Sequence, residues 1–267
     1  MSATVLYAFL LTLMAGLATG IGSAIAFFAK HTDKKFLSFS LGVSAGVMIY
    51  VSFVELLYGA QVELTAMLGT QTGKLVCATS FFGGILIAAL IDKLVPSKEN
   101  PHEVKSVESM QHPPHDRGKL MRTGLLTAII IAVHNFPEGI ATFMASVSSP
   151  GLGIAIALAI AIHNIPEGIA VAVPIYFATG SKRKAFWYSF LSGLAEPVGA
   201  LTAYLILTPF MTPLLLNSVF AAVAGIMVFI SLDELLPAAE AYGEHHISIY
   251  GLLTGMIVMA VSLILLA

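Results

Sequence analysis

Eight long runs of apolar residues fill almost the whole of this 267-residue chain. A hydrocarbon core about 30 Å thick needs about 20 apolar residues in each helix that crosses it. Runs of that length lie at 5–29, 36–57, 75–95, 122–147, 152–178, 185–207, 214–239 and 249–267. Transmembrane strands would alternate polar and apolar residues, whereas these runs are apolar at nearly every position. The sequence therefore predicts an all-α, polytopic membrane protein, a bundle of eight transmembrane helices.

The composition excludes several classes of protein. Hydrophobic residues make up 57% of the chain and charged residues 10%, which is outside the range of soluble domains. We expect a single transmembrane domain over 1–267, surrounded by the lipid bilayer. No Gly-x-x-x-x-Gly-Lys-[Ser/Thr] loop and no clustered basic face occur, so neither a nucleotide nor nucleic acid is an expected partner. Cys77 is the single cysteine, which rules out an intrachain disulfide and a cysteine-built metal site.

The distribution of basic residues predicts the topology. Twelve of the thirteen Lys and Arg residues fall in the loops after helices one, three and five, and cytoplasmic loops collect positive charge. Both termini are therefore expected outside the cytoplasm. The long loop at about 96–121 is polar and rich in proline, which favours a flexible cytoplasmic linker. Its His102, His112 and His115 leave a metal-collecting role open.

An eight-residue motif occurs twice in the middle of the chain. Residues 134–141 read His-Asn-Phe-Pro-Glu-Gly-Ile-Ala, and the same motif returns at 163–170 with one change. Because residues four apart share a helix face, each copy presents an imidazole, an amide and a carboxylate together. These are His134, Asn135 and Glu138 from the first copy, and His163, Asn164 and Glu167 from the second. Ionisable groups in transmembrane helices usually mark an ion or proton path, so the motif predicts a metal-ion site.

Prolines and a third carboxylate strengthen this interpretation. Pro137 and Pro166 lack a backbone donor and predict kinks in helices four and five. The short connection makes these helices antiparallel neighbours, so their motifs should face each other near the membrane midplane. Glu196 follows the second motif glutamate at the interval that separates the two motif glutamates, and it lies beside Pro197. Imidazole with carboxylate and amide oxygens suits Zn²⁺, Fe²⁺, Co²⁺ and Mn²⁺, and no thiolate selects copper(I).

The two His-Asn-x-Pro-Glu-Gly motifs resemble those of the ZIP (Zrt/Irt-like) family of divalent metal transporters, and most closely its bacterial ZupT-type zinc transporter branch. The resemblance extends over essentially the whole chain, since the eight spans and the histidine-bearing loop after the third also match. It implies uptake of divalent metal, Zn²⁺ foremost, across the bacterial cytoplasmic (inner) membrane. It implies no enzymatic reaction and no catalytic cofactor.

The resemblance also implies a binuclear centre between helices four, five and six. One metal position would use His134, Glu138, His163 and Glu167. The neighbouring position would use Asn135, Glu138, Asn164, Glu167 and Glu196, with both motif glutamates bridging. Some family members carry other residues where this chain has His163 and Asn164, so whether one kind of ion fills both positions is left open. An elevator-like or rocking carrier is implied, in which a four-helix unit with the site moves and glycine-rich faces slide.

Further residues are expected along the ion path. Glu55 lies near the outer end of helix two and would attract cations, while Met48 would be a soft ligand or a core residue. Asp233 and Glu234 lie near the inner end of helix seven and would form an exit. Small-residue faces leave room for a homodimer.

Three alternative functions stay open. The residues do not fix the direction of transport, so an exporter would use the same site. A channel would need sites weak enough to release ions quickly. An intramembrane metal-dependent enzyme is the third alternative, although the chain has no His-Glu-x-x-His motif. The driving force, a proton gradient or the membrane potential alone, is also left open.

Overall fold

A computed structural model describes residues 2–27, 34–94, 117–241 and 245–266. Every regular element in these ranges is helical, and eight helices are long and apolar enough to cross a membrane. This confirms the predicted all-α fold with eight transmembrane helices. The histidines of the loop at 96–121 lie outside the described residues.

The eight helices are numbered α1 to α8 in chain order. Five are single segments: α1 is Ala3–Ala26, α3 is Thr70–Leu94, α4 is Arg117–Ser148, α5 is Pro150–Thr179 and α8 is His245–Leu266. Three are composite: α2 is Lys34–Val51, Ser52–Leu57 and Tyr58–Leu68; α6 is Lys182–Gly193, Ala195–Thr202, Ala203–Leu207 and Thr208–Phe210; α7 is Pro213–Ile230, Ser231–Leu235 and Leu236–Ala241.

The second helix differs most from its predicted bounds. It continues to Leu68 instead of ending near residue 57, and α3 begins at Thr70 instead of near residue 75. Only Gly69 separates them, and its φ of 82° is a conformation that glycine adopts readily. The residues after position 57 lower the hydropathy but include no proline, so the helix continues past the apolar run.

Three helices contain a short π-helical segment. These segments are Ser52–Leu57 in α2, Ala203–Leu207 in α6 and Ser231–Leu235 in α7. π-Helical turns are rare and frequently lie at functional sites. The segment in α2 contains Glu55, and the segment in α7 contains Asp233 and Glu234, so three residues predicted to line the ion path lie in such segments.

The helices pack in two groups of four. The motif group contains α1, α4, α5 and α6, and the companion group contains α2, α3, α7 and α8. Each helix packs mainly against helices of its own group, most extensively α1 and α4 against α5, and α2 against α8. Contacts between the groups are fewer. Most of them are made by α5, which packs against α2 and α8, and by α4, which packs against α7.

Close helix contacts at glycine lie inside each group. A Cβ on Gly139 of α4 would overlap the Glu196 carbonyl of α6, and one on Gly46 of α2 would overlap the Leu252 carbonyl of α8. Every described glycine whose added Cβ would meet a neighbour meets one in its own group. The expectation that glycine-rich faces slide between the two units is therefore wrong. The glycines instead allow close backbone packing within each unit.

Large apolar side chains are exposed around the outside of the bundle. Leu86 of α3, Met14 of α1 and Ile264 of α8 are among the most exposed. The interior, by contrast, contains polar and charged side chains, including Glu138, His163 and Glu196, that are completely buried. This arrangement suits a protein whose outer surface faces lipid and whose interior holds ionisable groups.

Candidate metal centre

The connection between α4 and α5 places the two motifs at the same depth. Only Ser149 separates the helices, and its hydroxyl accepts a hydrogen bond from the Leu152 N–H, which caps the start of α5. His134 precedes Ser149 and His163 follows it at nearly equal separations along the chain. Because the helices rise equally per residue, the two antiparallel motifs come face to face.

The four side chains predicted for the first metal position do lie together. His134 Nε2 lies 3.3 Å from Glu138 Oε1 and 3.3 Å from Glu167 Oε1. His163 Nε2 lies 3.2 Å from Glu138 Oε2 and 3.8 Å from Glu167 Oε1. We call these four residues the histidine cluster. Each imidazole therefore faces a carboxylate of its own helix and one of the other helix.

The histidine cluster is enclosed by protein. His163 and Glu138 have no exposed surface, and His134 and Glu167 are each 6% exposed. Glu167 Oε2 has no hydrogen-bond partner in the described part of the chain, and the 3.3 Å contact between His134 Nε2 and Glu138 Oε1 lacks the geometry of a hydrogen bond. Buried polar atoms normally find a partner. An imidazole nitrogen and two carboxylate oxygens are thus available as metal ligands.

A metal ion could be held by atoms of both helices. One ligand atom each from His134, His163 and Glu167 lies within 4.8 Å of the other two. Atoms that surround one ion at about 2.0–2.2 Å each lie at most about 4.4 Å apart, so the side chains would draw slightly closer together to hold an ion. Glu138 faces the same imidazoles and would add a second carboxylate. Two carboxylates can together neutralise the charge of one divalent cation.

The three remaining predicted ligands form a second cluster beside the first. The Asn164 amide nitrogen donates a hydrogen bond to Glu196 Oε1 and another, of 2.9 Å, to the Ala15 carbonyl of α1. The Asn135 amide nitrogen donates to the Ser192 carbonyl of α6 at 3.4 Å. We call Asn135, Asn164 and Glu196 the asparagine cluster. All three side chains are fully buried.

Comparison with known proteins identifies the family. The family profile described as "ZIP Zinc transporter" matches residues 92–263, which cover all the motif residues. This chain belongs to the ZIP zinc transporter family. It is 60% identical over 265 residues to the "Zinc transporter ZupT" of Streptococcus mutans, with 99% of each chain covered. It is 61% identical over 268 residues to the protein of the same name from Lysinibacillus sphaericus, with both chains fully covered.

Membership of the ZIP family confirms the resemblance found from the motifs. Together with the eight apolar helices, it establishes the chain as a multi-pass membrane protein. A third relative, the "Zinc transporter ZupT" of Oceanobacillus iheyensis, is 61% identical over 264 residues, with 98% of each chain covered. The family is thus established over the whole length of the chain.

A cavity next to the histidine cluster joins α4 to the companion group. It has about 70 Å³ of room for water, several times the roughly 10–15 Å³ that one water molecule needs. The residues that line it include His134, Asp92 of α3 and Glu234 of α7. Asp92 lies near the end of α3, on the side where the chain continues towards α4. The cavity therefore leads from the cluster towards the side of the membrane predicted to be cytoplasmic.

Of the two carboxylates that line this cavity, Glu234 was predicted for the ion path and Asp92 was not. Glu234 interacts electrostatically with His134 and Asp92, while Asp233 is exposed and is not among the residues that line this cavity. An acidic residue near the end of a transmembrane helix looks like an ordinary helix-end charge. The available signal was that Asp92 precedes the basic Lys93 within an otherwise apolar helix end.

The two residues predicted for the outer path lie in α2. Met48 is completely buried in the main apolar cluster, which agrees with the packing explanation of this residue. Glu55 is half-buried in the π-helical segment. Neither residue belongs to the histidine or asparagine cluster described above.

Proposed function

We propose that this ZIP protein carries Zn²⁺ into the cytoplasm through the histidine and asparagine clusters, and that it also carries Fe²⁺, Mn²⁺ and Co²⁺ with lower preference. The observation that carries this proposal is the convergence of two imidazoles and two carboxylates from α4 and α5, all buried within the membrane-spanning part. The names of the three relatives support zinc as the principal ion. The mixed nitrogen and oxygen ligands suit all four ions.

The proposal includes two adjacent metal positions. The histidine cluster would hold the first ion with His134, Glu138, His163 and Glu167. The second ion would use Asn135, Asn164 and Glu196, with Glu138 and Glu167 bridging. The unbonded Oδ1 atoms of both asparagines and Oε2 of Glu196 support this assignment, because each is a buried oxygen in need of a partner.

Release into the cytoplasm would follow the cavity beside His134. The carboxylates of Asp92 and Glu234 would take the ion from the imidazole and draw it towards the inner side. Glu55 would attract cations on the outer side, with Met48 deeper in α2 as part of the closed passage, and Asp233 would add charge near the exit. The basic loops after α1, α3 and α5 support this orientation, with both termini outside the cytoplasmic membrane.

Movement of one helix group against the other would alternate access to the site. Glycine contacts hold α1, α4, α5 and α6 closely together, and other glycines do the same for the companion group. Contacts between the groups are fewer. Two closely packed bodies with a thinner interface favour rigid-body motion, and the enclosed histidine cluster favours a carrier over an open channel. In a homodimer, each subunit would make this movement between its own two helix groups.

Uptake by purified protein in liposomes tests the proposal. Radioactive Zn²⁺ should accumulate with saturable kinetics, and unlabelled Fe²⁺, Mn²⁺ and Co²⁺ should compete more strongly than Mg²⁺. The Glu138→Ala/Glu167→Ala variant should show no uptake above empty liposomes, although it inserts normally. Asn217→Asp is a suitable control, because Asn217 is a buried amide of α7 that bonds within its own helix. Normal uptake by the double variant would contradict the proposal.

A further inference from the structure

The two motif asparagines have one end bound and one end unbonded. In both, the amide nitrogen donates to an atom of another helix, while Oδ1 has no hydrogen-bond partner among the described residues. An Asn side chain offers two donor hydrogens and one acceptor oxygen. Each residue therefore uses its donor end within the protein and keeps its acceptor end for something else.

The amide of Asn135 binds α6 beside an interruption in that helix. The helix stops at Gly193 and resumes at Ala195, with Leu194 between the two segments. Carbonyls in the last turn of a helix lack their regular partners, and the missing N–H of Pro197 leaves the neighbouring Gly193 carbonyl without its regular partner as well. The Asn135 amide donates to one of these carbonyls, that of Ser192. This contact holds the turn that precedes Glu196.

The amide of Asn164 holds Glu196 directly. Its nitrogen donates both to Glu196 Oε1 and to the Ala15 carbonyl, so one side chain of α5 joins α1 and α6. The other oxygen of Glu196, Oε2, has no hydrogen-bond partner in the described ranges. The two asparagines therefore restrain Glu196 through its backbone and through its side chain, and leave Oε2 unbonded.

We infer that Asn135 and Asn164 are positioning residues whose amide nitrogens fix Glu196, so that aspartate cannot replace either one even though it keeps a metal-binding oxygen. The inference rests on the proposed function, because it concerns the second metal position. An aspartate at 164 would place oxygen against the Ala15 carbonyl and against the Glu196 carboxylate. An attractive contact would then become a repulsive one at two places.

This prediction is opposite to that for a plain metal ligand. If Asn164 acted only through Oδ1, then Asn164→Asp would keep that oxygen and add negative charge, which would strengthen cation binding. If the amide positions Glu196, the same change should lower the transport rate at limiting Zn²⁺ by at least about tenfold, the usual effect of losing a hydrogen bond to a charged group. It should also remove one equivalent of bound Zn²⁺.

A double substitution tests the contact itself. Glu196→Gln combined with Asn164→Asp keeps the charge of the pair and restores a donor opposite an acceptor, with the direction reversed. We expect the double variant to transport faster than Asn164→Asp alone and to recover the lost equivalent of Zn²⁺. Recovery is expected to be partial, because the Ala15 carbonyl still faces an oxygen. If the loss of uptake rate in the double variant equalled the product of the losses in the two single variants, the inference would be overturned.

The measurements are initial uptake rates over a range of Zn²⁺ concentrations and equilibrium binding stoichiometry, with melting temperature as the test of folding. Asn217→Asp is the matched control, since it makes the same change at a buried amide in the companion group and should transport like the wild type. Normal uptake and binding by Asn164→Asp would overturn the inference alone. Absence of saturable uptake by the wild type would instead overturn the proposed function.

Discussion

Substitution of Gly139 by alanine should separate α4 from α6 at the site. A Cβ at this position would overlap the carbonyl oxygen of Glu196, and backbone atoms cannot move aside as a flexible side chain can. Normal van der Waals contact would require the helices to part by about 1 Å or more. Overpacking of this kind costs about 1–3 kcal/mol of stability.

The same displacement should impair transport more than stability. Metal–ligand distances tolerate about 0.2 Å of error, so a movement of about 1 Å would take Glu196 out of reach of an ion held by Glu138 and Glu167. We expect Zn²⁺ uptake to fall at least about tenfold. Uptake into liposomes and thermal melting in detergent would measure the two effects on one preparation.

Gly83→Ala is the matched control for this prediction. An added Cβ at Gly83 of α3 meets nothing within 4 Å, and alanine favours a helix by up to about 1 kcal/mol over glycine. This variant should melt at the same or a higher temperature and should transport normally. If Gly139→Ala behaved like Gly83→Ala in both assays, the close approach of α4 and α6 would be refuted.

Two further predictions concern the ion and its path, and a third concerns the contact between α6 and the end of α1. Bound Zn²⁺ at 100 times its dissociation constant should stabilise the protein by about 2.7 kcal/mol, a shift in melting temperature that a chelator reverses and that His134→Ala/His163→Ala removes. Glu234→Gln should slow uptake several-fold without lowering the Zn²⁺ affinity of the site. Asp233→Asn should slow uptake less, because Asp233 does not line the cavity. If both variants slowed uptake and weakened Zn²⁺ binding to the same extent, this prediction would be contradicted. Lys182→Ala should lower the melting temperature slightly, because the Lys182 ammonium donates to the Phe27 carbonyl at the end of α1 and such contacts contribute about 0.3–1 kcal/mol.

The sequence predicted the fold and the histidine cluster because both follow from simple spacing. Apolar runs of sufficient length predicted eight helices, and the four-residue interval predicted that His134 and Glu138 share a face. The short connection around Ser149 then required the two motifs to meet. Each of these steps depends on local geometry alone.

Other features depend on which helices pack together, and spacing does not contain that information. Gly139 and Gly46 indicated close contacts, but their partners in α6 and α8 became known only from the fold. Asp92 gained interest only because α3 and α7 bring it towards Glu234 beside one cavity. The helix α2 continues past its apolar run, because a fall in hydropathy indicates where a helix leaves the lipid and does not indicate where the helix ends.

The donor ends of the two asparagines were also beyond the sequence. Asn135 and Asn164 were predicted as ligands from their positions in the motif, and that role uses Oδ1. Their hydrogen bonds to the Ser192 and Ala15 carbonyls depend on α6 and α1, which are far away in the chain. Only the assembled helices reveal what the amide nitrogens contact.

The most direct test of the central claim is anomalous X-ray diffraction at the zinc absorption edge, from crystals of the protein grown with Zn²⁺. We expect a strong peak among His134, Glu138, His163 and Glu167, about 2.0–2.2 Å from their ligand atoms, and a second peak beside Glu196. A zinc peak elsewhere in the membrane-spanning part, with none at the histidine cluster in protein that transports Zn²⁺, would contradict it.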